Sequence, residues 1–329
     1  MSWRAEAPPA QLIGADGQAQ LGWWTQEPAA YALERLRLQR PMGGQWPKWT
    51  RFLRYKHWHF VSLVHEEFML GLALVDLGYA HQVFVYVHEQ GRTQADTWRG
   101  LPWPRRMHLA TAPQGLSCYH GAGRIELRQA DDGLHLKFDW SRLQLRGQLL
   151  LSGCEPLVLS LPAGACSWTY TVKRAALSVQ GELQWRGRTW STASMLASHD
   201  LSLGLMRRQT AWQWSSLATW IDGHRVGLNL AMGVNESGQN ENAVWIDGRL
   251  HKLAAVFLRG QGEQGQAAGE GLELHFQGRD EHAEYLHTGL IDSRFCQRQG
   301  LYRGHLDAAG RRWPLDQVMG LWEDHYVKW

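Results

Sequence analysis

Cysteine is scarce in this chain, and its placement does not indicate a disulfide framework or a zinc site. The four cysteines (Cys118, Cys154, Cys166 and Cys296) form no CxxC pair and none of the spacings of metal-binding thiols. Four unpatterned thiols in a chain of this length are typical of proteins of the reducing cytosol. We therefore predict a cytoplasmic protein with reduced thiols, without a structural metal and without a cofactor.

Long apolar runs and clustered charges are missing as well. No stretch approaches the length of a membrane-spanning helix, and residues 1–11 lack the apolar core of a signal peptide. The formal net charge is +3, and the basic residues are scattered instead of forming one run. These features predict no stable membrane insertion and no nucleic-acid partner, and they leave the oligomeric state open.

Common catalytic signatures are also absent. The chain contains no GxSxG, no Walker loop and no HExxH. Hydrolases with a nucleophile elbow, P-loop enzymes and zincin proteases are therefore not indicated.

Tryptophan, in contrast, is abundant, with 19 residues among 329. Each indole ring has a large apolar surface and an N–H group that needs a partner. Large rings and polar residues share short segments, as in His57-Trp58-His59, and this mixture is typical of ligand pockets. Any single Trp is still more often part of a core than of a site.

Most of the chain after residue 50 shows the two-residue period of β-strands. Leu134, Leu136, Phe138 and Trp140 alternate with polar residues, and Asp-Gly pairs at 132–133, 222–223 and 247–248 separate such runs. The pattern predicts an all-β protein made of antiparallel strands. Residues 1–50 differ, because prolines break them; we expect an irregular arm with one short helix near 29–38, packed through Trp23, Trp24 and Trp46. A second short helical segment is expected near 316–327.

Two neighbouring strands supply the strongest candidates for a ligand site. In the strand near 208–220, Trp212 and Trp214 point to the same face. In the next strand, Asn229 lies between the small residues Gly227 and Ala231, which leave room for a ligand to approach it. Because strands joined by a turn are neighbours, Trp212, Trp214 and Asn229 are expected on one inner wall, provided that this face looks into a barrel. The alternative is that Asn229 only bonds a neighbouring loop.

Asp200 is the only carboxylate between Glu182 and Asp222. A carboxyl group beside indole rings in an apolar site has a raised pKa and can act as a general acid. The alternative is structural, with Asp200 capping a turn or pairing with Arg207 or Arg208.

A further polar face is expected near residue 57. Tyr55, His57 and His59 share one face of a strand over 54–64, where they would line a partly wet cavity. The HxH step offers two metal ligands but no third, so no metal site is predicted. Glu241 and Asn242 precede another strand, and they either close the cavity mouth or simply begin that strand.

Several of these segments resemble a known family. Lys56-His57-Trp58-His59-Phe60, the DLGYA run at 76–80, Gly227-Leu228-Asn229-Leu230, the run 241–248 and Gly320-Leu321-Trp322-Glu323 are together similar to the domain-of-unknown-function family 2804 (DUF2804). The resemblance extends from Gly22 to Trp329. More distantly, residues 169–204 resemble the lipocalin-like family of AttH-type proteins and carotenoid hydratases.

The distant resemblance implies two tandem lipocalin-like β-barrels or sandwiches. With it we expect an arm over 1–50, a first β domain over 51–175 and a second over 176–329. The family tends to place Trp after its acidic residue, whereas Leu201 follows Asp200 here. Asp200 therefore remains only a candidate catalytic residue.

Three functional hypotheses follow. The first is a protein that binds an apolar or amphipathic small molecule, such as a lipid or isoprenoid, in a Trp-lined cavity within the barrels. The second is a hydratase or isomerase that protonates such a ligand through Asp200, with Trp212 and Trp214 stabilising the cation. The third is a carbohydrate-binding module, which would need exposed and shallow rings.

Overall fold

The computed structural model describes residues 5–66, 68–234, 237–289 and 291–329. Within these residues strands are the main secondary structure, and the α-helix α1 is the single turn Arg51–Arg54. Three 3₁₀ turns occupy Leu33–Arg35, Lys48–Thr50 and Ser141–Leu143. The strands are β1 Gly22–Trp24, β2 Tyr55–His65, β3 Phe68–Asp76, β4 His81–Glu89, β5 Arg92–Gly100, β6 Met107–His108, β7 Leu116–His120, β8 Arg124–Ala130, β9 Gly133–Trp140, β10 Leu145–Ser152, β11 Leu157–Pro162, β12 Trp168–Trp185, β13 Arg188–Trp190, β14 Leu196–Leu205, β15 Gln209–Ile221, β16 His224–Met232, β17 Ala243–Ile246, β18 Arg249–Lys252, β19 Val256–Gln261, β20 Gln264–Gly269, β21 Leu272–His287, β22 Asp292–Ala308 and β23 Arg311–Lys328.

The strands form two antiparallel sheets, so the all-β prediction is confirmed. The first sheet has the order β5-β4-β3-β2-β14-β12-β10-β9-β8-β7-β6; β11 and β13 also pair with β12, and β1 pairs with β11. The second has the order β18-β17-β16-β15-β23-β22-β21-β20-β19. Each sheet curls around its own apolar core, which gives two tandem lipocalin-like half-barrels.

Two of the three Asp-Gly pairs make tight hairpins for the predicted reason. The prediction was wrong for the pair at 132–133, because Gly133 already begins β9 opposite Ala130 and the turn is made by residues 131 and 132 without positive φ. Asp222 and Gly223 have φ of 50° and 81°, and Asp247 and Gly248 have φ of 51° and 83°. Positive φ at both central residues gives the turn a twist that matches the strands it joins. These turns connect β15 to β16 and β17 to β18.

The chain passes from one sheet to the other between Leu205 and Gln209. The predicted domain boundary at 175/176 instead falls inside β12, which bends at a bulge near Ala176 (φ 59°) and continues in the same sheet. We therefore propose residues 206–208 as the boundary between the two halves.

Two helix predictions were wrong. Within 29–38 only Leu33–Arg35 is helical, as a single 3₁₀ turn. Residues 316–327 belong to β23, which pairs with both β15 and β22, so tertiary pairing outweighs local sequence preference there.

The N-terminal arm packs on the first sheet much as expected. Trp23 and Trp24 are buried, and β1 pairs with β11. Trp46 differs from the prediction: it is exposed, and the guanidinium groups of Arg40 and Arg54 lie over its ring.

A third apolar layer fills the space between the two sheets. Phe60 and Phe84 of the first sheet meet Trp214, Phe295 and Leu321 of the second in this layer. Beside it lies the cavity described next.

Candidate functional site

A partly open cavity of about 150 Å³ lies between the two sheets. Its walls come from β2, β3, β4, β12 and β14 on one side and from β15, β21, β22 and β23 on the other. This location corrects the expectation of a cavity inside the barrels. The interior of each half-barrel is filled by its own apolar core.

Aromatic rings from both sheets form the middle of the cavity. Trp58 of β2 and Trp212 of β15 are stacked, with ring centroids 6.4 Å apart and an interplanar angle of 11°. Phe60 meets Trp214 edge to face at 5.9 Å. A ligand between the sheets therefore contacts large, flat apolar surfaces that pack rings well.

One ammonium group and two carboxylates meet at the inner end of the cavity. Lys173 Nζ lies 2.5 Å from Asp200 Oδ2 and 3.0 Å from Glu241 Oε2. Ser202 donates a further hydrogen bond of 3.1 Å to Asp200 Oδ1. We call Lys173, Asp200 and Glu241 the ionic floor.

The protonation of the ionic floor follows from burial and pairing. Burial lowers the pKa of Lys173, but the two carboxylates more than offset this effect, so its pKa is raised and the ammonium stays charged. Burial raises the pKa of Asp200 more than Lys173 lowers it, and Glu241 adds to the rise.

Glu323 is a second buried carboxyl group of the cavity, and its partners are neutral. Trp212 Nε1 donates to Oε1 at 2.8 Å, and Gln297 Nε2 donates to Oε2 at 2.9 Å. Burial raises the pKa of Glu323 to about 7, with Asp200 adding to the rise. Trp212 and Gln297 both donate to this carboxyl group, so neither accepts its proton. When Glu323 is protonated, its O–H can therefore donate to a third group, such as a ligand in the cavity.

His325 lies next to Glu323 along β23 and lines the same wall. Its ring centroid is 4.2 Å from that of Trp212, and its Nε2 lies 3.2 Å from Ser293 Oγ. Burial lowers the pKa of His325 to about 3, so the imidazole is neutral at physiological pH.

Strand geometry orders these groups by depth. Leu77, Ile291, Val327 and Trp329 line the cavity at one end of the sheets, and we call them the apolar rim. Glu323 lies four residues before Val327 on β23, which is about 13 Å along an extended strand. The lining is therefore apolar at the rim and combines aromatic rings with charged groups farther in, because Phe60 pairs with Asp200 and Trp214 pairs with Glu323.

A further charged cluster lies at the side of the cavity. Glu284 accepts hydrogen bonds from Gln82 and Thr97, both at 2.6 Å, and pairs with Arg99 at 2.5 Å. Burial raises the pKa of Glu284, but the bonds from His282 and Thr97 and the charge of Arg99 outweigh it, and the pKa falls to about 2. This carboxylate is an anion that joins β4 and β5 of the first sheet to β21 of the second.

Four of the predicted site residues line the cavity: Asp200, Trp212, Trp214 and Glu241. The predicted structural alternative for Asp200 named Arg207 or Arg208 as its partner, whereas the structure pairs it with Lys173.

Asn229 and Asn242 lie behind the cavity wall. Asn229 accepts a hydrogen bond of 2.8 Å from Trp214 Nε1 and donates one of 2.8 Å to the backbone oxygen of Glu241. Asn242 accepts one of 2.8 Å from the backbone N–H of Ala231. Both side chains therefore position lining residues.

Tyr55, His57 and His59 lie on the opposite face of β2 from Trp58, away from the cavity, because strand residues alternate between faces. His59 Nε2 lies 2.7 Å from His199 Nε2, and its Nδ1 lies 3.1 Å from Ser117 Oγ. Burial lowers the pKa of His57 to about 4 and that of His59 to about 3. Both imidazoles are therefore neutral groups of the interior.

Lys173, Glu323 and His325 are cavity residues that the sequence did not reveal. Glu323 and His325 were missed because the segment that forms β23 has a partly helical pattern. The alternation of Leu321, Glu323, His325 and Val327 was the available signal. Lys173 carried no signal, because an isolated Lys in a strand is ordinarily solvated.

Two searches of the described residues gave no candidates. Over 5–66, 68–234, 237–289 and 291–329, no group of three or more His, Cys, Asp or Glu side chains is arranged to hold a metal ion. Across the same part of the chain, no helix combines the length and apolarity that a membrane span requires.

Comparison with solved structures gives neighbours of similar fold. CghA in its crystal structure with Sch210972 has a TM-score of 0.54 at 11% identity, covering 96% of this chain and 97% of CghA. An AttH-type protein from Nitrosomonas europaea has a TM-score of 0.46 at 12% identity, covering 84% and 92%. Kievitone hydratase from Nectria haematococca has a TM-score of 0.47 at 9% identity, covering 84% and 90%.

A search of curated proteins gives no match. Family models do give one: the model described as Domain of unknown function (DUF2804) matches residues 4–329, nearly the whole chain. The chain therefore belongs to the DUF2804 family.

Proposed function

We propose that the protein binds an amphipathic small molecule, such as an isoprenoid or another lipid, in the cavity between its sheets. The observation that carries this proposal is the lining, which is apolar at the rim and combines aromatic rings with charged groups farther in. A molecule with an apolar body and one polar head matches this lining when its head points inward and the rest of a longer chain passes out through the open rim, because a cavity of about 150 Å³ holds only a benzene-sized part of it. Burying about 200 Å² of apolar ligand surface contributes about 5 kcal/mol before the costs of association.

The charges at the inner end limit the chemistry of the head. The ionic floor holds one cation and two carboxylates, and Glu323 adds a third carboxyl group. A ligand carboxylate or phosphate would bring another anion into this set, which is unfavourable in a buried site. The head is therefore a neutral hydroxyl or carbonyl group, or an amine.

Structural comparison supports a ligand-binding role in a general way. The CghA structure with Sch210972 shares this fold over nearly the whole chain. At 11% identity the likeness concerns the fold alone, so the ligand class proposed here depends on the residues of this cavity.

Binding is tested with three chain-matched probes: farnesol, farnesylamine and farnesoic acid. Each is titrated while Trp emission is recorded, and native mass spectrometry reports whether a ligand co-purifies. We expect saturable emission changes with the alcohol and the amine and much weaker binding of the acid. The proposal fails if none of the three binds and the purified protein has the mass of the bare chain.

Two substitutions on the same strand provide the matched control. Trp212 lines the cavity, whereas Trp220 is exposed and bonds the backbone of Ser194. Trp212→Phe should weaken farnesol binding, and Trp220→Phe should leave it unchanged. Equal effects of the two would place the ligand elsewhere.

A second candidate function is acid catalysis on such a ligand, as in a hydratase or isomerase. The observation that favours it is Glu323, a carboxyl group with a pKa of about 7 beside the indole ring of Trp212. The sequence suggested Asp200 as the acid, but Lys173 lies 2.5 Å from it and stabilises its anion. Glu323 has neutral donors only, so it is the better proton donor of the two.

The step would be protonation of a ligand C=C bond by Glu323. The alkene π electrons take the proton, and the resulting cation lies against ring faces, which stabilise positive charge. Loss of a different proton gives an isomer, and addition of water followed by proton loss gives an alcohol. In both cases Glu323 is reprotonated and the atoms balance.

Deuterium incorporation tests this step whichever product forms. Farnesol is incubated with the protein in D₂O, recovered and analysed by mass spectrometry. Deuterium should enter carbon-bound positions with the wild type and with Asp200→Asn, but not with Glu323→Gln. Unlabelled farnesol from all three would leave the binding function alone standing.

The carbohydrate-binding alternative gains no support from the cavity. Trp58, Trp212 and Trp214 are enclosed between two sheets, whereas stacking on a sugar face requires shallow, exposed rings.

A further inference from the structure

An exposed apolar and basic surface lies at the end of the first sheet that carries the apolar rim. It consists of residues 40–54 and 101–106, and we call it the basic aromatic surface. Trp49 is 66% exposed, Leu101 72% and Trp103 81%. Single exposed apolar residues are ordinary on protein surfaces, but several large ones in two adjoining segments are unusual.

Strand register shows that the two segments adjoin. Asp76 at the end of β3 pairs with His81 at the start of β4, and His81 pairs with Gly100 at the end of β5. The start of β2 lies at the same end, because His57 pairs with Asp76. Residues 40–54 lead into β2 and residues 101–106 follow β5, so both segments project from one end of the sheet.

The charge of this surface has a single sign. Residues 40–54 contain three Arg and one Lys, residues 101–106 contain two Arg, and neither segment contains Asp or Glu. No acidic residue occurs anywhere between Glu34 and Glu66, or between Asp96 and Glu126. Among the described residues, none of these six cations forms a salt bridge with a carboxylate, so their charges remain available to an anionic partner.

We propose that the basic aromatic surface docks the protein on an anionic lipid bilayer. Trp rings prefer the headgroup region of a membrane, where the ring is in an apolar setting and its N–H remains hydrated. Basic side chains beside them gain from the negative potential of anionic lipids. The combination of exposed rings, adjacent cations and missing carboxylates fits this partner better than it fits a protein surface of mixed charge.

The position of the surface connects it to the cavity. Lys56 Nζ donates hydrogen bonds of 2.8 Å to the backbone oxygens of Leu53 and Leu77, so α1 sits directly beside the rim residue Leu77. The same ammonium lies over the ring of Trp329, another rim residue, at 5.9 Å. Docking thus brings the apolar rim of the cavity close to the lipid. Transfer of a ligand from the bilayer rests on the proposed function, whereas docking itself does not.

Vesicle co-sedimentation of the full chain tests the docking. The probes are vesicles of phosphatidylcholine alone and of phosphatidylcholine with phosphatidylserine, at low and at physiological salt. We expect binding to the anionic vesicles that weakens as salt rises. Arg105→Gln with Arg106→Gln should lower the partition coefficient about fivefold for each arginine removed. Trp49→Ser with Trp103→Ser should lower it roughly tenfold.

The matched control lies on β19, the edge strand of the second sheet, whereas the basic aromatic surface belongs to the first sheet. Phe257 and Arg259 are exposed on β19, and the double variant Phe257→Ser, Arg259→Gln removes one ring and one cation there. Because all these side chains are exposed, the variants should unfold at the wild-type temperature and bind added farnesol as the wild type does. Docking is refuted if the wild type ignores anionic vesicles, or if the control loses as much binding as the tryptophan variant. It is also refuted if a duplex DNA competes fully, because the surface then binds polyanions in general.

If the protein binds farnesol in solution but does not bind anionic vesicles, the proposed binding function stands and the docking proposal fails. If vesicles bind but farnesol does not, docking stands alone.

Discussion

Glu323 should make the stability of the protein depend on pH in a definite direction. Burial raises its pKa from 4.5 to about 7 in the folded state. The folded state therefore holds a proton that the unfolded chain releases at lower pH. Stability from this group is fully present below about pH 4.5 and is lost as the pH rises through about 7. At about 1.4 kcal/mol per pKa unit, the total loss is about 3 kcal/mol.

Buried histidines produce the opposite slope in part of the same range. The pKa values of His57, His59 and His325 are lowered by burial to about 4, 3 and 3. Their contribution is present above about pH 6.5 and is lost as the pH falls through those values. The pH profile of the wild type alone therefore mixes the two effects, and only the difference between the wild type and a Glu323 variant isolates the carboxyl group.

Glu323→Gln is the perturbation to use, since the amide keeps an oxygen for the indole N–H of Trp212. Free energies of unfolding are measured with urea from about pH 4.5 to about pH 8 for both proteins. The wild type minus variant difference should fall by about 3 kcal/mol across this range. Glu273→Gln removes a carboxyl group that is more than half exposed, and its difference from the wild type should stay flat. A flat difference for Glu323→Gln as well would refute the assignment of a raised pKa.

Two further predictions concern the same cavity. Lys173→Met leaves Asp200 and Glu241 without their shared cation and should lower the free energy of unfolding by about 3–5 kcal/mol. Asp200→Asn keeps the Lys173–Glu241 pair and should lower it by only about 1–2 kcal/mol. Urea titration of both variants checks this order. Trp214→Phe removes the N–H group that donates to the side-chain oxygen of Asn229 and should lower the free energy of unfolding by about 1–3 kcal/mol. Trp220→Phe should leave the free energy of unfolding within about 0.5 kcal/mol of the wild-type value. Comparable losses in the two variants would contradict the role of the buried hydrogen bond.

Most strands and tight turns of this protein could be predicted because they depend on residues that are close together in the sequence. Alternation in β9 and the Asp-Gly turns after β15 and β17 depend on neighbouring residues only. The two helix predictions, at 29–38 and 316–327, failed because contacts with distant parts of the chain decide those segments; β23, for example, pairs along its length with β15 and β22.

The candidate site was predictable only in part, because β2 has two buried faces. His57 and His59 share one face with Val61, while Trp58 and Phe60 share the other, and both faces look plausible in the sequence. Which face meets a second sheet is a property of packing between the two halves. Asp200 was identified as an isolated acid, and Glu241 as part of a pair that closes the cavity mouth or begins a strand. Their common partner Lys173 lies on β12 and left no trace in the sequence.

The walls of the cavity belong to two sheets that the chain joins through residues 206–208 alone. A ligand that contacts Trp58 and Trp212 at the same time would bind both halves, so separating the halves would break its contacts with one of them. The free energy of ligand binding would then couple the unfolding of one half to the unfolding of the other. In calorimetry the ligand-free protein should show the broader transition, and saturation with ligand should merge the melting of both halves into one sharp event.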